Sequence, residues 1–128
     1  MNKNIDKSPK VLLIEDDTFI ANAYIQGLVN EGIEVGIAHN GDEAMEMLSS
    51  ERPGLILLDI VMAGKDGFAV LEEVKGREDL KDIPVIILSN LGETSDIEKG
   101  TGLGAIDYII KSDHSLSEVV EKVKSVLQ

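Results

Sequence analysis

The chain contains no cysteine. That excludes a disulfide framework, a thiolate nucleophile and Cys-ligated zinc or iron–sulfur sites, and a cysteine-free composition suits a cytoplasmic protein. Cations are scarce as well: 12 Lys and Arg stand against 24 Asp and Glu, a formal charge of −12. Phosphate backbones are held by Lys and Arg, so such a surface argues against direct binding of nucleic acid. Long hydrophobic runs are missing. The longest, such as Leu55–Leu58 and Pro84–Leu88, fall far short of the ~18 residues of a membrane-spanning helix, and the polar start from Met1 to Ser8 has no signal-like apolar segment. There is neither an internal repeat nor a low-complexity linker. With 128 residues, 43% of them apolar, the expectation is one soluble domain over residues 10–128, preceded by a flexible tail at 1–9.

What is present is a series of short apolar runs bounded by turn residues: Val11–Ile14, Val35–Ala38, Leu55–Leu58, Val85–Leu88 and Ala105–Ile110. Three are continuously apolar, as strands of a parallel sheet covered on both faces should be. Helix-length segments separate them. Asp17 is placed to cap a first helix carrying Ile20, Tyr24 and Leu28 at spacing four, with Gly32 ending it. Asn40 with Glu43, and Ser115 with Glu118, have the spacing of capping boxes. Gly67 opens a third segment with Phe68, Leu71 and Val74 on one face, and the last helix has a stripe from Leu116 to Leu127. The segment from Glu93 to Gly104 is the weak element, since it offers mainly Ile97 and Leu103 and carries three glycines. Regular alternation of strand and helix implies right-handed crossovers and an α/β doubly wound parallel sheet with helices on both faces.

Ligands of such sheets bind beyond the carboxyl ends of the strands. Strand one ends in Glu15, Asp16 and Asp17, strand three in Asp59, strand four in Ser89 and Asn90, and strand five runs through Tyr108 to Lys111. If strand one lies beside strand three, carboxylates converge on one crevice, where their mutual repulsion calls for a hard cation with oxygen ligands; Mg²⁺ is the natural candidate. Such a pocket suits phosphate chemistry. Lys111 and Ser89 are placed to meet phosphoryl oxygens, and an Asp carboxylate can itself be the nucleophile. Asp17 reads instead as the helix cap, and His39 and His114, lacking metal-spaced companions, as loop histidines.

From Lys10 to Leu127 the sequence resembles the receiver domain of two-component response regulators. The resemblance rests on the set: Glu15-Asp16-Asp17 after an apolar strand; Asp59 after another, followed by Met62 and Asp66-Gly67; Ile83 to Ser89; and Gly104 to Lys111. It implies a five-stranded flavodoxin-like sheet in the order 2-1-3-4-5. It also implies a phosphoacceptor switch, not an enzyme in its own right. Asp59 matches the phosphoacceptor; Asp16 and Glu15 the acidic pair that holds Mg²⁺ together with Asp59; Val61 the position that lends its backbone carbonyl to the metal. Ser89 matches the switch hydroxyl, Tyr108 the aromatic that follows it inward, and Lys111 the phosphoryl partner. The implied partners are a sensor histidine kinase or a histidine phosphotransfer domain as donor, and a downstream protein that reads the face of helix four, strand five and helix five. A phosphorylation-linked homodimer is a further implied assembly.

Three positions depart from the family pattern. Ala63 stands where proline follows the methionine, which should loosen that loop. Ser112 stands where a cis proline follows the lysine; a cis bond before a non-proline residue costs about 3 kcal/mol, so a trans bond or strain is expected and the reach of Lys111 is open. Asn90 stands where a small residue is usual and is expected to narrow access to the phosphoryl site. Two alternatives stay in play. One is a phosphorylation-independent scaffold. The other, a Mg²⁺-dependent phosphohydrolase, is weakened because Val61 occupies the place of the second aspartate such enzymes use as general acid. Val61 and Leu91, apolar and flanking the site, imply slow self-dephosphorylation.

Overall fold

A computed structural model of the protein describes residues 9–128. Residues 1–8 of the expected tail lie outside the described residues, while Pro9 packs over Gly36, its ring carbon 3.0 Å from where a Cβ on that glycine would stand. Five strands and five helices alternate: β1 (Val11–Ile14), α1 (Thr18–Val29), β2 (Val35–Ala38), α2 (Gly41–Leu48), β3 (Leu55–Leu58), α3 (Gly67–Gly76), β4 (Val85–Ser89), α4 (Thr94–Gly102), β5 (Asp107–Ile110) and α5 (Leu116–Leu127). A single turn of 3₁₀ helix at Lys111–Asp113 leads from β5 to α5. The sheet is wholly parallel in the order β2-β1-β3-β4-β5.

The continuous apolar runs follow from this layering, because side chains alternate between the two faces of a strand. Leu12, Ile14, Ile56, Leu58, Val85 and Ile87 join one core with Ala44, Leu48, Val70, Leu71 and Val74 of α2 and α3. Val11, Leu13, Leu55, Leu57, Ile86 and Leu88 join the other with Ala21 and Leu28 of α1 and Val119, Val120 and Val123 of α5. Each Val, Leu or Ile side chain among them, fully withdrawn from water, contributes about 1.5–3 kcal/mol. The edge strands β2 and β5 are only half-buried, which is why they accommodate Gly36, Asp107 and Tyr108.

The caps largely follow the sequence. Asp17 and Ser115 accept from the backbone N–H groups of Ile20 and Glu118, the Glu118 carboxylate accepts from the Ser115 N–H at 2.7 Å, and Asp66, not singled out as a cap in the sequence, accepts from the Ala69 N–H. Four details differ from expectation. Glu43 does not complete a box with Asn40; its carboxylate takes the His39 N–H at 2.6 Å and the His39 ring at 3.0 Å. On α1, Ala21 and Leu28 are buried while Ile20 and Tyr24 are half-buried, since the start of this helix projects past the strand ends. β5 begins at Asp107, because Gly104 (φ +114°) still turns the chain. α4, whose sole buried residue is Gly100, has a start the sequence reading overlooked: the Glu93 N–H donates to Asp96 Oδ2 at 3.3 Å.

One glycine sets the geometry of the strand ends. A Cβ on Gly67 would lie 2.2 Å from the Asp59 carbonyl oxygen and 2.7 Å from Ile60 Cα. Only glycine lets α3 start so close to the loop that leaves β3.

Candidate functional site

The carboxyl ends of β1, β3, β4 and β5 enclose an open cleft of about 350 Å³. Strand register brings its acids together: Ile14 is level with Leu58, so the residues that follow, Glu15 and Asp59, leave the sheet side by side. Carboxylate oxygens of Glu15, Asp16 and Asp59 lie within 4.8 Å of one another. Glu15 and Asp59 are buried and Asp16 is exposed.

The three acids are not equally engaged. Glu15 is held on both oxygens: Oε1 accepts from Lys111 Nζ at 2.7 Å and Oε2 from the Asp17 N–H at 3.2 Å. Asp16 Oδ2 accepts from the Ala63 N–H at 3.2 Å. Asp59 has only long contacts, with the Val61 N–H at 3.4 Å from Oδ1 and Lys111 Nζ at 3.7 Å from Oδ2. A buried carboxylate so lightly engaged, with its neighbours tied down, retains lone pairs for a metal or an electrophile.

Electrostatics follow from this crowding. Burial raises the Glu15 pKa, and the Asp59 charge adds to it, against the opposing bond and charge of Lys111. For Lys111, burial favours the neutral amine, but the Glu15 bond and the charges of Asp59 and Glu15 prevail and its pKa is raised. The site therefore has an ammonium fixed in its charged form against a surplus of carboxylate, and a divalent cation would relieve that surplus. The donor set, three carboxylates in an open cleft, fits Mg²⁺ with part of its water shell retained.

Ser89, fully buried at the end of β4, accepts at Oγ from the Leu91 N–H at 3.2 Å. Tyr108 is half-buried; its hydroxyl donates to the Leu91 carbonyl, and its ring lies against α4, where a Cβ on Gly100 would stand 3.1 Å from it. Burial, with the nearby Asp96 charge, raises its pKa. Val61 lines the cleft with its side chain 58% exposed. Asp17 also borders the cleft but caps α1. His39 and His114 stand at Glu43 and Glu118, away from the acids.

Of the expectations drawn from the departures, the one for Ala63 needs correction, and of the two outcomes open at Ser112 the structure shows the trans bond. Ala63 ties its loop rather than loosening it, because an N–H that proline would lack is donated to Asp16. The Lys111–Ser112 bond is trans, and no non-glycine residue among those described has a positive φ, so the turn reaches the pocket without that strain. The Ser112 N–H, again unavailable to proline, donates to Asn90 Oδ1 at 3.0 Å. Ile20 and Leu91 also border the cleft; the spacing that puts Ile20 on the apolar face of α1 does not say which turn of the helix overhangs the strand ends.

The parallel sheet, in the order β2-β1-β3-β4-β5, thus carries an acidic, lysine-bordered cleft at its carboxyl edge. Residues 11–124 match the response regulator receiver domain family, and the chain belongs to it. Among similar sequences, the "Probable transcriptional regulator ycf27" of Porphyra purpurea is 34% identical over 123 residues, 96% of this chain and 49% of that protein. Response regulator MprA of Mycobacterium tuberculosis is 31% identical over 121 residues, 94% of this chain and 51% of that one. The chain thus spans about half the length of these curated relatives. Among solved structures, the receiver domain of Francisella response regulator 1452 superposes with a TM-score of 0.84 at 30% identity, covering 94% of this chain and 97% of that one. The phosphorylated cyanobacterial phytochrome response regulator RcpA does so at 0.79 and 35%, covering 93% and 91%. Receiver domains bind Mg²⁺ at an acidic pocket, and the cluster of Glu15, Asp16 and Asp59 has that character.

Proposed function

We propose that the chain is a phosphoacceptor switch in which Asp59 takes a phosphoryl group from a phosphohistidine of a sensor kinase or phosphotransfer domain. The observation that carries this reading is the unequal engagement of the acids: Glu15 is held on both oxygens, at 2.7 and 3.2 Å, and Asp16 on one, at 3.2 Å, whereas buried Asp59 makes only contacts of 3.4 Å and longer. An Asp59 carboxylate oxygen attacks phosphorus, the O–P bond forms as the P–N bond breaks, and the imidazole departs with the bonding pair. Lys111 meets the charge carried by the equatorial oxygens, and Ser89 turns its hydroxyl toward one of them. Glu15, Asp16, Asp59 and the Val61 carbonyl would hold Mg²⁺, which when bound offsets the negative charge on acids and phosphoryl group alike.

Ser89 and Tyr108 both bond the backbone of Leu91, so a Ser89 hydroxyl drawn to the phosphoryl group releases the Leu91 N–H and alters the seat of Tyr108 beneath α4. Few apolar contacts hold α4, which makes it the element easiest to shift, and a partner protein would read the face of α4, β5 and α5. Val61 and Leu91, exposed at the rim, shield the acyl phosphate from water and favour slow self-dephosphorylation.

Intact mass after incubation with Mg²⁺ and a small acyl-phosphate donor tests the reading. A phosphoryl adduct is expected that disappears with chelator and in Asp59→Asn. An adduct that persists in Asp59→Asn would remove Asp59 from the role, and failure of the protein both to form an adduct and to bind Mg²⁺ in a fluorescence titration would leave the scaffold.

A further inference from the structure

We infer that Asn90 is a positioning residue for Lys111: its carboxamide, bonded to the backbone of Ser112, fixes the turn that delivers the Lys111 ammonium to the Asp59 pocket. The inference rests on the phosphoacceptor reading and assigns part of that site. β4 and β5 are paired in register up to Ser89 and Ile110. Beyond that rung the chains diverge, one into the loop before α4 and the other into the Lys111–Asp113 turn. At this divergence Asn90 Oδ1 accepts the Ser112 N–H at 3.0 Å, so a side chain extends the ladder one step past the sheet.

Lys111 sits between the two contacts. Its backbone is one peptide from the Ser112 N–H, and its Nζ, with the side chain 10% exposed, spans 2.7 Å to Glu15 Oε1 and 3.7 Å to Asp59 Oδ2. A lysine side chain has four rotatable bonds, so its reach is defined only if the backbone that bears it is defined. The turn is short, and its own closing bond from the His114 N–H to the Lys111 carbonyl is long, at 3.5 Å. The Asn90 bond is the shorter of the two and ties the turn to the residue that follows Ser89 at the end of β4. Both groups assigned to the phosphoryl oxygens are thereby referred to one frame. Asn90 also borders the cleft, but its oxygen is committed to Ser112, which sets its role apart from that of a simple steric gate.

The test compares the protein with Asn90→Ala, which removes the acceptor, and Ser112→Ala, which keeps the N–H and removes only the hydroxyl. Two spectroscopic readouts need no phosphorylation: hydrogen exchange of the Ser112 amide, and the side-chain resonances of Lys111. In Asn90→Ala the amide should exchange faster and the Lys111 resonances should move toward those of a solvated lysine, while Ser112→Ala leaves the Lys111 resonances in place. With Mg²⁺ and the acyl-phosphate donor, Asn90→Ala should slow adduct formation by about fivefold, the scale of one lost hydrogen bond. Unchanged Lys111 resonances in Asn90→Ala would overturn the inference even if no adduct forms on the parent protein, the separate outcome that would sink the phosphoacceptor reading. Faster adduct formation in Asn90→Ala would also overturn it, marking Asn90 as a gate.

Discussion

Glu15 shows how a residue can serve the site at the expense of the fold. Burial and the charge of Asp59 hold its carboxyl above the ordinary pKa of 4.5 despite the bond from Lys111. A carboxyl whose pKa is higher in the folded state binds its proton more tightly there. Its contribution to stability is therefore fully present below the unfolded pKa and is lost as pH rises through the folded value. Glu15→Gln keeps an oxygen for Lys111 and cannot ionise. In chelator, the stability of the protein relative to Glu15→Gln should therefore decline as pH increases from about 4.5 toward neutrality. Denaturant melts of the pair at several pH values would measure it. A difference that is flat with pH would show that Lys111 balances burial, and one that grows in favour of Glu15 that it outweighs burial.

At the scale of elements, α4 carries two glycines with opposite consequences. Gly102, at the end of the helix, has open space where a Cβ would stand, with nothing within 4 Å, so Gly102→Ala should stabilise by about 0.5–1 kcal/mol through helix propensity alone. At Gly100 a Cβ would lie 2.5 Å from Ile87 Cδ1 and 3.1 Å from the Tyr108 ring. Ile87 is fully buried, so its methyl has little room to retreat, and Gly100→Ala should cost about 1–2 kcal/mol of overpacking. Thermal melts that moved in the same direction for both would contradict this packing of Tyr108 under α4. The same helix marks the limit of what the sequence discloses. The core strands are legible because burial on both faces makes them apolar throughout, and the acids are legible because they follow those strands directly. The bonds from Ala63 to Asp16 and from Ser112 to Asn90 are not, since they join residues 47 and 22 positions apart and depend on how loops meet in space. Neither residue type nor local spacing encodes them. Gly100 reads in sequence only as a weak point of a helix, and the ring that requires it comes from the next strand.

For the whole molecule, the excess of 12 negative charges produces two separable responses to ions. General self-repulsion is screened by any salt, so monovalent salt should raise the melting temperature of the protein and of Asp59→Asn alike. The cluster of Glu15, Asp16 and Asp59 is a local response superposed on that field, and an ion that binds only the folded chain stabilises it in proportion to the logarithm of its concentration. At constant ionic strength, Mg²⁺ at 100 times its dissociation constant should add about 2.7 kcal/mol, or about 10 °C for a domain of this size. Asp59→Asn should begin from a higher melting temperature in chelator, because it removes one of three crowded charges, yet gain far less from Mg²⁺. The two melting curves should therefore converge as Mg²⁺ rises. Parallel increases in both proteins would mean that the cation acts on surface charge at large and that the three acids do not form its site.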